Sequence, residues 1–179
     1  DEDSVKRIYN PKVFHIATHG FFKEDLRNDE FAGLSLSEAE FTQNPLLRSG
    51  LLLKSAGEVL KSNSLLDINS ENGVLTAYEA MNLNLDATEL VILSACETGL
   101  GEVQVGEGVF GLQRAFLVAG ANTLVMSLFK VNDEVTQKLM TRFYELWLQS
   151  GDKKESFTQA KKEIKQLYPQ PIYWGSFVM

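Results

Sequence analysis

Short apolar runs alternate along the chain with longer stretches in which apolar residues recur at helical spacing. An apolar run of four to eight residues, rich in β-branched side chains, is typical of a strand buried in a sheet. Strands are therefore predicted at residues 13–17 (VFHIA), 50–54 (GLLLK), 89–95 (ELVILSA), 122–128 (NTLVMSL) and 173–178 (YWGSFV). The run at 89–95 is apolar on both faces, which predicts a central, parallel strand.

Helices are predicted where apolar side chains repeat every three to four residues. This pattern covers residues 107–119, 132–149 and 152–167. Gly120 and Gly151 stand where a C-terminal glycine commonly ends a helix, so both are expected to terminate the helix before them.

The remaining segments are shorter or more polar. Thr76 followed by Glu79 forms a capping box, which predicts a short helix there. A further helix is predicted near residues 4–9. Residues 20–49 indicate a long loop with some local structure, and residues 55–73 are the most linker-like stretch.

Strands that alternate with helices predict an α/β fold with a mainly parallel central sheet and helices on both faces. The length of 179 residues suits one domain, residues 1–179, with its own core. The chain begins at Asp1 rather than at methionine, so we expect it to be a piece of a longer protein.

Charge and cysteine content narrow the classes of partner. The net charge of −7 argues against direct binding of nucleic acid or anionic lipid, and it suits a basic peptide segment. No apolar run approaches the roughly 20 residues that span a bilayer, and no signal peptide is visible. Cys96 is the one cysteine, so no disulfide forms within the chain, which fits a reducing, cytoplasmic setting.

The candidate chemistry lies after two predicted strands. His19-Gly20 follows residues 13–17 and Cys96 follows residues 89–95, where parallel sheets place their sites. A free thiol has a pKa of about 8.5, so it needs a base, and one histidine can both take its proton and protonate the leaving amine. A glycine beside the histidine lets a backbone N–H approach the developing oxyanion. The order of histidine and cysteine agrees with caspases, although the spacing exceeds the roughly 50 residues typical there.

Three segments make a resemblance specific: VFHIATHGFF at 13–22, LSACETGLGEVQVGEG at 93–108 and VMSLFKVNDE at 125–134. Together they resemble the CHAT family, a caspase-like domain often attached to tetratricopeptide repeats and grouped with caspases, separases and gingipains. The resemblance covers nearly the whole chain. It implies a caspase-like α/β/α sandwich and a cysteine endopeptidase that cleaves a protein or peptide substrate without metal or cofactor.

The resemblance also implies roles for single residues. His19 is the expected general acid and base, Cys96 the expected nucleophile, and the backbone amides of Gly20 and Cys96 the expected oxyanion donors. A tetratricopeptide or other regulatory region, and another strand, are expected before residue 1. Because related proteins cut bacterial gasdermins or act within CRISPR effectors, we expect activation by a partner or ligand in a bacterial defence or regulatory pathway.

The substrate pocket is less well specified. Caspases carry glutamine two residues before the cysteine and arginine or glutamine after it, whereas Ser94 and Glu97 stand here, so the aspartate-binding signature is lost. Asp133 and Glu134 follow the next strand, where caspase-like folds build the S1 wall, and an acidic wall favours lysine or arginine at P1. Alternatively, Asp133 only caps the following helix. Glu97 and Glu107 either orient the loop 97–108, line the site or face solvent.

Other interpretations stay open. Cys96 can be a buried structural thiol, and the domain can be a catalytically dormant binding or scaffold module of a larger assembly. The G-x-G-x-x-G match at 106–111 suggests a nucleotide site only weakly, because ten residues separate it from its strand. His15 has the opposite strand parity to its apolar neighbours and is assigned a structural role. The loop 97–108, rich in glycine, is predicted to be mobile without an activator.

Overall fold

The computed structural model describes residues 1–22, 44, 46–57, 72–97, 107–129 and 131–179. The chain forms two compact units, Asp1–Leu124 and Val125–Met179. That residues 1–179 make one domain stays a prediction. The described elements follow in the order α1 Glu2–Lys6, β1 Val13–Phe22, β2 Ser49–Leu52, β3 Val74–Thr76, α2 Ala77–Ala80, β4 Leu90–Glu97, α3 Glu107–Val118, β5 Leu124–Ser127, α4 Asp133–Ser150, α5 Lys153–Leu167, α6 Pro171–Trp174 and β6 Phe177–Val178.

Strands of the first unit lie in the order β3-β2-β1-β4. β1 and β4 are parallel, whereas β1 with β2 and β2 with β3 are antiparallel. In the second unit, β5 and β6 are antiparallel. The α/β class is confirmed. β1 and β4 pair in parallel, as predicted. The other strand pairs named above are antiparallel, so the described strand pairing is mixed and the prediction of a mainly parallel sheet holds in part.

Both strands that precede the candidate chemistry are longer than predicted. β1 continues through Phe22 because residues 19–22 find an antiparallel partner in β2, which supplies backbone hydrogen bonds to this end of the strand. β4 continues through Glu97 because its last residues pair with the extended β1. His19 and Cys96 therefore lie inside strands, and the prediction that they follow the strand ends is wrong by a few residues.

Helix ends agree closely with the sequence. The capping box is present: the Thr76 side chain accepts the Glu79 N–H, and the Glu79 side chain accepts the Thr76 N–H. Gly120 has φ +105° and Gly151 has φ +74°, a left-handed region where a glycine carries no Cβ penalty. Gly151 closes its helix by donating its N–H to the Trp147 carbonyl at 2.8 Å.

The C-terminal segment and one edge strand depart from the prediction. Residues 173–178 were expected to form a strand, but Pro171–Trp174 forms a helical turn and only Phe177–Val178 is extended. Pro171 occupies the first helical position, where its fixed φ and missing N–H suit a helix start. β3 was not predicted, because three residues are too few to show a period.

Each unit has an aromatic centre. In the first unit, Phe14 of β1 packs against Phe116 of α3, with ring centroids 6.5 Å apart. In the second unit, α4 and α5 pack together, and Phe143 stacks on Trp147 at 5.7 Å and meets Phe157 edge-on at 5.4 Å. These contacts bury the apolar faces that the helical spacing predicted.

Candidate active site

The two candidate catalytic positions face each other across neighbouring strands. In the parallel ladder of β1 and β4, His19 is the register partner of Cys96. Adjacent strands lie about 4.8 Å apart, so the two backbones are within reach of a side-chain contact. The strand pairing sets the Cys96 backbone level with the His19 backbone along the sheet.

Alternation along β1 separates two faces of the sheet. Phe14 and Ile16 are buried, whereas His15, Ala17 and His19 are exposed. We call the side that carries these three exposed residues the histidine face. Because register partners in a ladder share a face, position 96 belongs to the histidine face.

The same ladder places two of the predicted pocket residues. Ser94 is half-buried and lies opposite Ala17, on the histidine face two positions before Cys96. Glu97 lies opposite Gly20, and alternation sets position 97 on the other face. Their roles as substrate ligands stay predictions.

A cavity of about 490 Å³ lies beside His19. Its lining combines residues 16–19 of β1 with residues 52–54, Ala56 and Gly57, and with Asp1 and Val5 at the start of the chain. Because residues 16–19 include both parities, the cavity runs along the β2-side edge of β1. The sequence did not single out this cavity. The cavity forms because β2 pairs with β1 in one particular register, and an apolar pattern alone does not determine that register.

Helix α1 forms one wall of the cavity and is held by a buried carboxylate. Glu2 is 2% exposed; its Oε2 accepts the Gly73 N–H at 2.8 Å and its Oε1 pairs with Lys6. Lys6 also donates to Glu79 at 2.7 Å. Burial alone would lower the pKa of Lys6, but the hydrogen bonds and charges of Glu2 and Glu79 outweigh it and raise that pKa.

Replacing Glu2 with alanine is expected to lower the free energy of unfolding by about 2–3 kcal/mol. The change leaves the Gly73 N–H without its acceptor and removes one of the two carboxylates that hold Lys6. Chemical denaturation measures the effect. The matched control on the same helix is Asp3→Ala, whose partner Arg7 is largely exposed, with an expected cost below about 1 kcal/mol. Equal costs for the two variants would contradict the buried anchor.

His15 is distinct from His19 although both lie on the histidine face. Desolvation by surrounding protein lowers the pKa of His15 below its usual value of 6.5, even though part of the ring is exposed. The ladder sets His15 opposite Ile92, four positions before Cys96. That separation is about 13 Å along the strand, too far for direct proton transfer to the cysteine.

The acidic pair after β5 starts helix α4. Asn132, not Asp133, is the N-cap: its side chain accepts the Val135 N–H at 3.0 Å, so the alternative that Asp133 caps the helix is wrong. Asp133 and Glu134 are exposed in the first turn. A hydrogen bond from Lys138 at 2.6 Å, together with its charge, lowers the pKa of Glu134.

Several predictions fall outside the described residues. They include the greater part of the loop 97–108 with its predicted mobility, and the first glycine of the 106–111 match. Within the described ranges, no group of three or more His, Cys, Asp or Glu side chains is arranged to hold a metal ion. Among the same residues, no helix combines the length and the hydropathy that crossing a membrane requires.

Comparison with known proteins adds the family. The model of the CHAT domain matches residues 1–179, the whole chain. Tetratricopeptide repeat protein 28 of Mus musculus is 29% identical over 108 residues, which cover 59% of this chain and 4% of that protein. Tetratricopeptide repeat protein 28 of Homo sapiens is 28% identical over 108 residues, with the same 59% and 4% covered. The chain thus spans a small fraction of the length of these relatives. It belongs to the CHAT domain family and is a caspase-like domain.

Proposed function

We propose that this domain is a cysteine endopeptidase that cleaves a specific protein partner through a dyad of His19 and Cys96. The observation that carries the proposal is the pairing of these two positions on adjacent parallel strands, in a chain that belongs to a caspase-like family. Register partners on adjacent strands have backbones close enough for a thiol and an imidazole to act as nucleophile and base, which supports the proposal.

The reaction proceeds in two balanced steps. His19 takes the Cys96 thiol proton, the thiolate attacks the scissile carbonyl carbon, and the C–N bond breaks as His19 returns that proton to the leaving amine. Water then gives a proton to His19 and attacks the thioester carbon, and the C–S bond breaks to release the carboxylate product and restore the thiol. No metal or cofactor takes part in the proposed reaction.

The expected oxyanion donors are the backbone amides of Gly20 and Cys96. Gly20 follows His19 directly in β1, which places its backbone amide next to the proposed base. This assignment rests on the family resemblance and on that adjacency.

The proposed substrate-binding residues are Ser94 and Glu97 of the first unit and, independently, Asp133 and Glu134 of the second unit. Glu97 has the weakest support because it lies on the face opposite His19. Ser94 is supported by its place on the histidine face, two positions before the nucleophile. The two acidic residues of α4 would favour lysine or arginine at P1, although Lys138 partly neutralises Glu134. A P1 preference for a basic residue is therefore assigned mainly to Asp133.

The domain is proposed to work within a larger protein. Its curated relatives are tetratricopeptide repeat proteins of which it matches 4%, which supports an attached repeat or other regulatory region. Activation by a partner or ligand, a role in a bacterial defence or regulatory pathway, and a cytoplasmic location belong to the same proposal and rest on the resemblance.

Labelling by substrate-like probes tests the enzyme. The full-length protein is incubated with acyloxymethyl ketones ending in arginine or in aspartate, beside a Cys96→Ala variant. We expect covalent labelling of the wild type alone and faster labelling by the arginine probe. Equal labelling of Cys96→Ala would sink the assignment of the nucleophile, and faster labelling by the aspartate probe would overturn the acidic pocket.

A second candidate is a catalytically dormant binding or scaffold module. It is favoured by the small share of the relatives' length that the domain represents. This alternative predicts that the wild type is not labelled, and that Cys96→Ala still binds the same partners in a pull-down from the native host. Loss of cellular function in Cys96→Ala with partner binding intact would reject it.

A further inference from the structure

The cavity beside His19 extends away from the nucleophile. Cys96, His19, Leu52 and Val74 are successive register partners, so they form one row across β4, β1, β2 and β3. The cavity is lined by His19 and by residues 52–54. It therefore lies on the β2 side of His19, whereas position 96 lies on the β4 side.

Acid–base chemistry tells which half of a substrate occupies that side. The acyl half of the substrate becomes bonded to the cysteine, whereas the leaving amine must receive its proton from the histidine. The amine and the residues that follow it, the primed residues, are thus placed on the His19 side of the scissile bond. Leu52 is the next register partner beyond His19, so the primed residues lie toward Leu52.

The distances match a short peptide segment. Two strand spacings separate position 96 from Leu52, or about 10 Å across the sheet. An extended peptide advances about 3.3–3.6 Å per residue, so the first two primed residues span the gap between His19 and Leu52. The volume of about 490 Å³ also suits a small ligand group, since such sites commonly measure about 300–1,000 Å³.

The lining chemistry favours an apolar occupant. Apolar walls are supplied by Val5, Ile16, Ala17, Leu52 and Leu53. Among the described lining residues, the one hydroxyl is that of Thr18, and it already donates to the Leu52 carbonyl. The two charged residues of the lining, Asp1 and Lys54, are exposed and opposite in sign, and the Asp1 carboxylate already accepts the Ser4 N–H. These two charges offset each other, so the cavity does not select a charged side chain of either sign. The apolar area that a side chain buries therefore decides how well it binds.

We propose that this cavity is the primed-side subsite of the enzyme and that it selects substrates with an apolar side chain, of about leucine size, immediately after the scissile bond. The inference rests on the proposed endopeptidase function. Ala17 is the position at which the size of the subsite is tested, because it is a small, exposed residue of the lining.

Cleavage of matched peptides by the full-length protein tests the subsite. Internally quenched peptides share the unprimed sequence that the better ketone probe identifies, and they carry leucine, glycine or aspartate after the scissile bond. We expect kcat/KM for the leucine peptide to exceed that for glycine at least 10-fold, because filling an apolar pocket typically changes rates about 10–200-fold. Aspartate is expected to be the poorest of the three.

Variants separate the subsite from the dyad. Ala17→Phe should lower kcat/KM for the leucine peptide at least 10-fold while changing the glycine peptide less than about 3-fold, and Ala17→Val should be intermediate. The control Ala87→Phe, at an exposed alanine outside the lining, should leave both peptides unchanged. The acyloxy leaving group of the ketone probes lies on the primed side, so their labelling rate is not used as the control. Complete covalent labelling of Ala17→Phe at saturating probe reports that the site is folded and reactive.

The outcomes distinguish the two proposals. Normal labelling with equal cleavage of leucine and glycine peptides overturns the subsite and leaves the endopeptidase intact. An Ala17→Phe variant that slows both peptides equally also overturns the subsite. Failure of the wild type to be labelled or to cleave any peptide overturns the endopeptidase and the subsite together.

Discussion

Replacing His19 with alanine is expected to lower kcat for a peptide substrate at least 1,000-fold while KM changes little. The imidazole has two tasks in the proposed reaction, since it removes the thiol proton and later protonates the leaving amine. Its loss leaves the Cys96 thiol without a base to take its proton. Steady-state kinetics on an internally quenched peptide measure the effect.

His15→Ala is the matched control, because it removes the same ring from the same strand and the same face. Its position lies four ladder steps before Cys96, about 13 Å away, so it cannot exchange a proton directly with the cysteine. Desolvation lowers its pKa below 6.5, so the ring is neutral at pH 7 and gives no charge to stabilise a thiolate. We expect kcat to stay within about 3-fold of the wild type.

The pH dependence of alkylation gives a readout that a structural role would not move. Iodoacetamide reacts with the thiolate, so its rate follows ionisation of Cys96. The wild type and His15→Ala should react at lower pH than His19→Ala, because only His19 is placed to take the thiol proton. If His15→Ala loses activity and His19→Ala keeps it, the dyad has been assigned to the wrong histidine.

Local patterns specified most elements of the fold because their physical causes lie within a few residues. The capping box at Thr76 and the glycines at 120 and 151 fix helix ends through contacts three to four residues apart. The apolar run at 89–95 revealed a central strand because burial on both faces leaves no polar alternation.

Strand length and sheet composition could not be predicted in the same way. β1 extends through Phe22 only because residues 49–52 pair with it from a distant point in the chain. The same antiparallel neighbour makes the described pairing mixed rather than mainly parallel. A single sequence carries little information on such register, because a strand's apolar pattern is satisfied by several partners.

The candidate site was predictable in its chemistry and not in its surroundings. His19 and Cys96 stand out by residue type and by the strands they occupy. The cavity beside them depends on α1, on β1 and on residues 52–57 meeting in space, and α1 in turn depends on the long-range bond from Gly73 to Glu2. At the start of α4, the cap is Asn132, one residue before Asp133, which the sequence offered as a cap in one of two alternatives.

A large loss of stability is expected in the second unit when Phe143 is replaced with alanine. Phe143 is fully buried on α4, stacked on Trp147 and met edge-on by Phe157 of α5. Removing a buried ring costs about 3–5 kcal/mol through lost burial and the cavity left behind. The aromatic contacts add about 0.5–1.5 kcal/mol per pair to what burial alone provides.

Hydrogen exchange resolves where the stability is lost. Amides of α4 and α5 should exchange faster in Phe143→Ala, because these helices are held together by the aromatic cluster. Thermal denaturation should show a midpoint lower by roughly 6–20 °C, given about 2–4 °C per kcal/mol for a chain of this size. Phe143→Leu, which keeps much of the volume, should lose about 1 kcal/mol.

Leu148→Ala on the same helix provides the control. Leu148 is 84% exposed, so its truncation removes little buried area and should change the free energy of unfolding by less than about 0.5 kcal/mol. If Phe143→Ala costs less than 1 kcal/mol, α4 and α5 are not held by the ring cluster. The two helices would then be held mainly by their other apolar contacts. The partly exposed Arg142–Glu163 ion pair contributes about 1 kcal/mol or less, which is too little to replace the ring cluster.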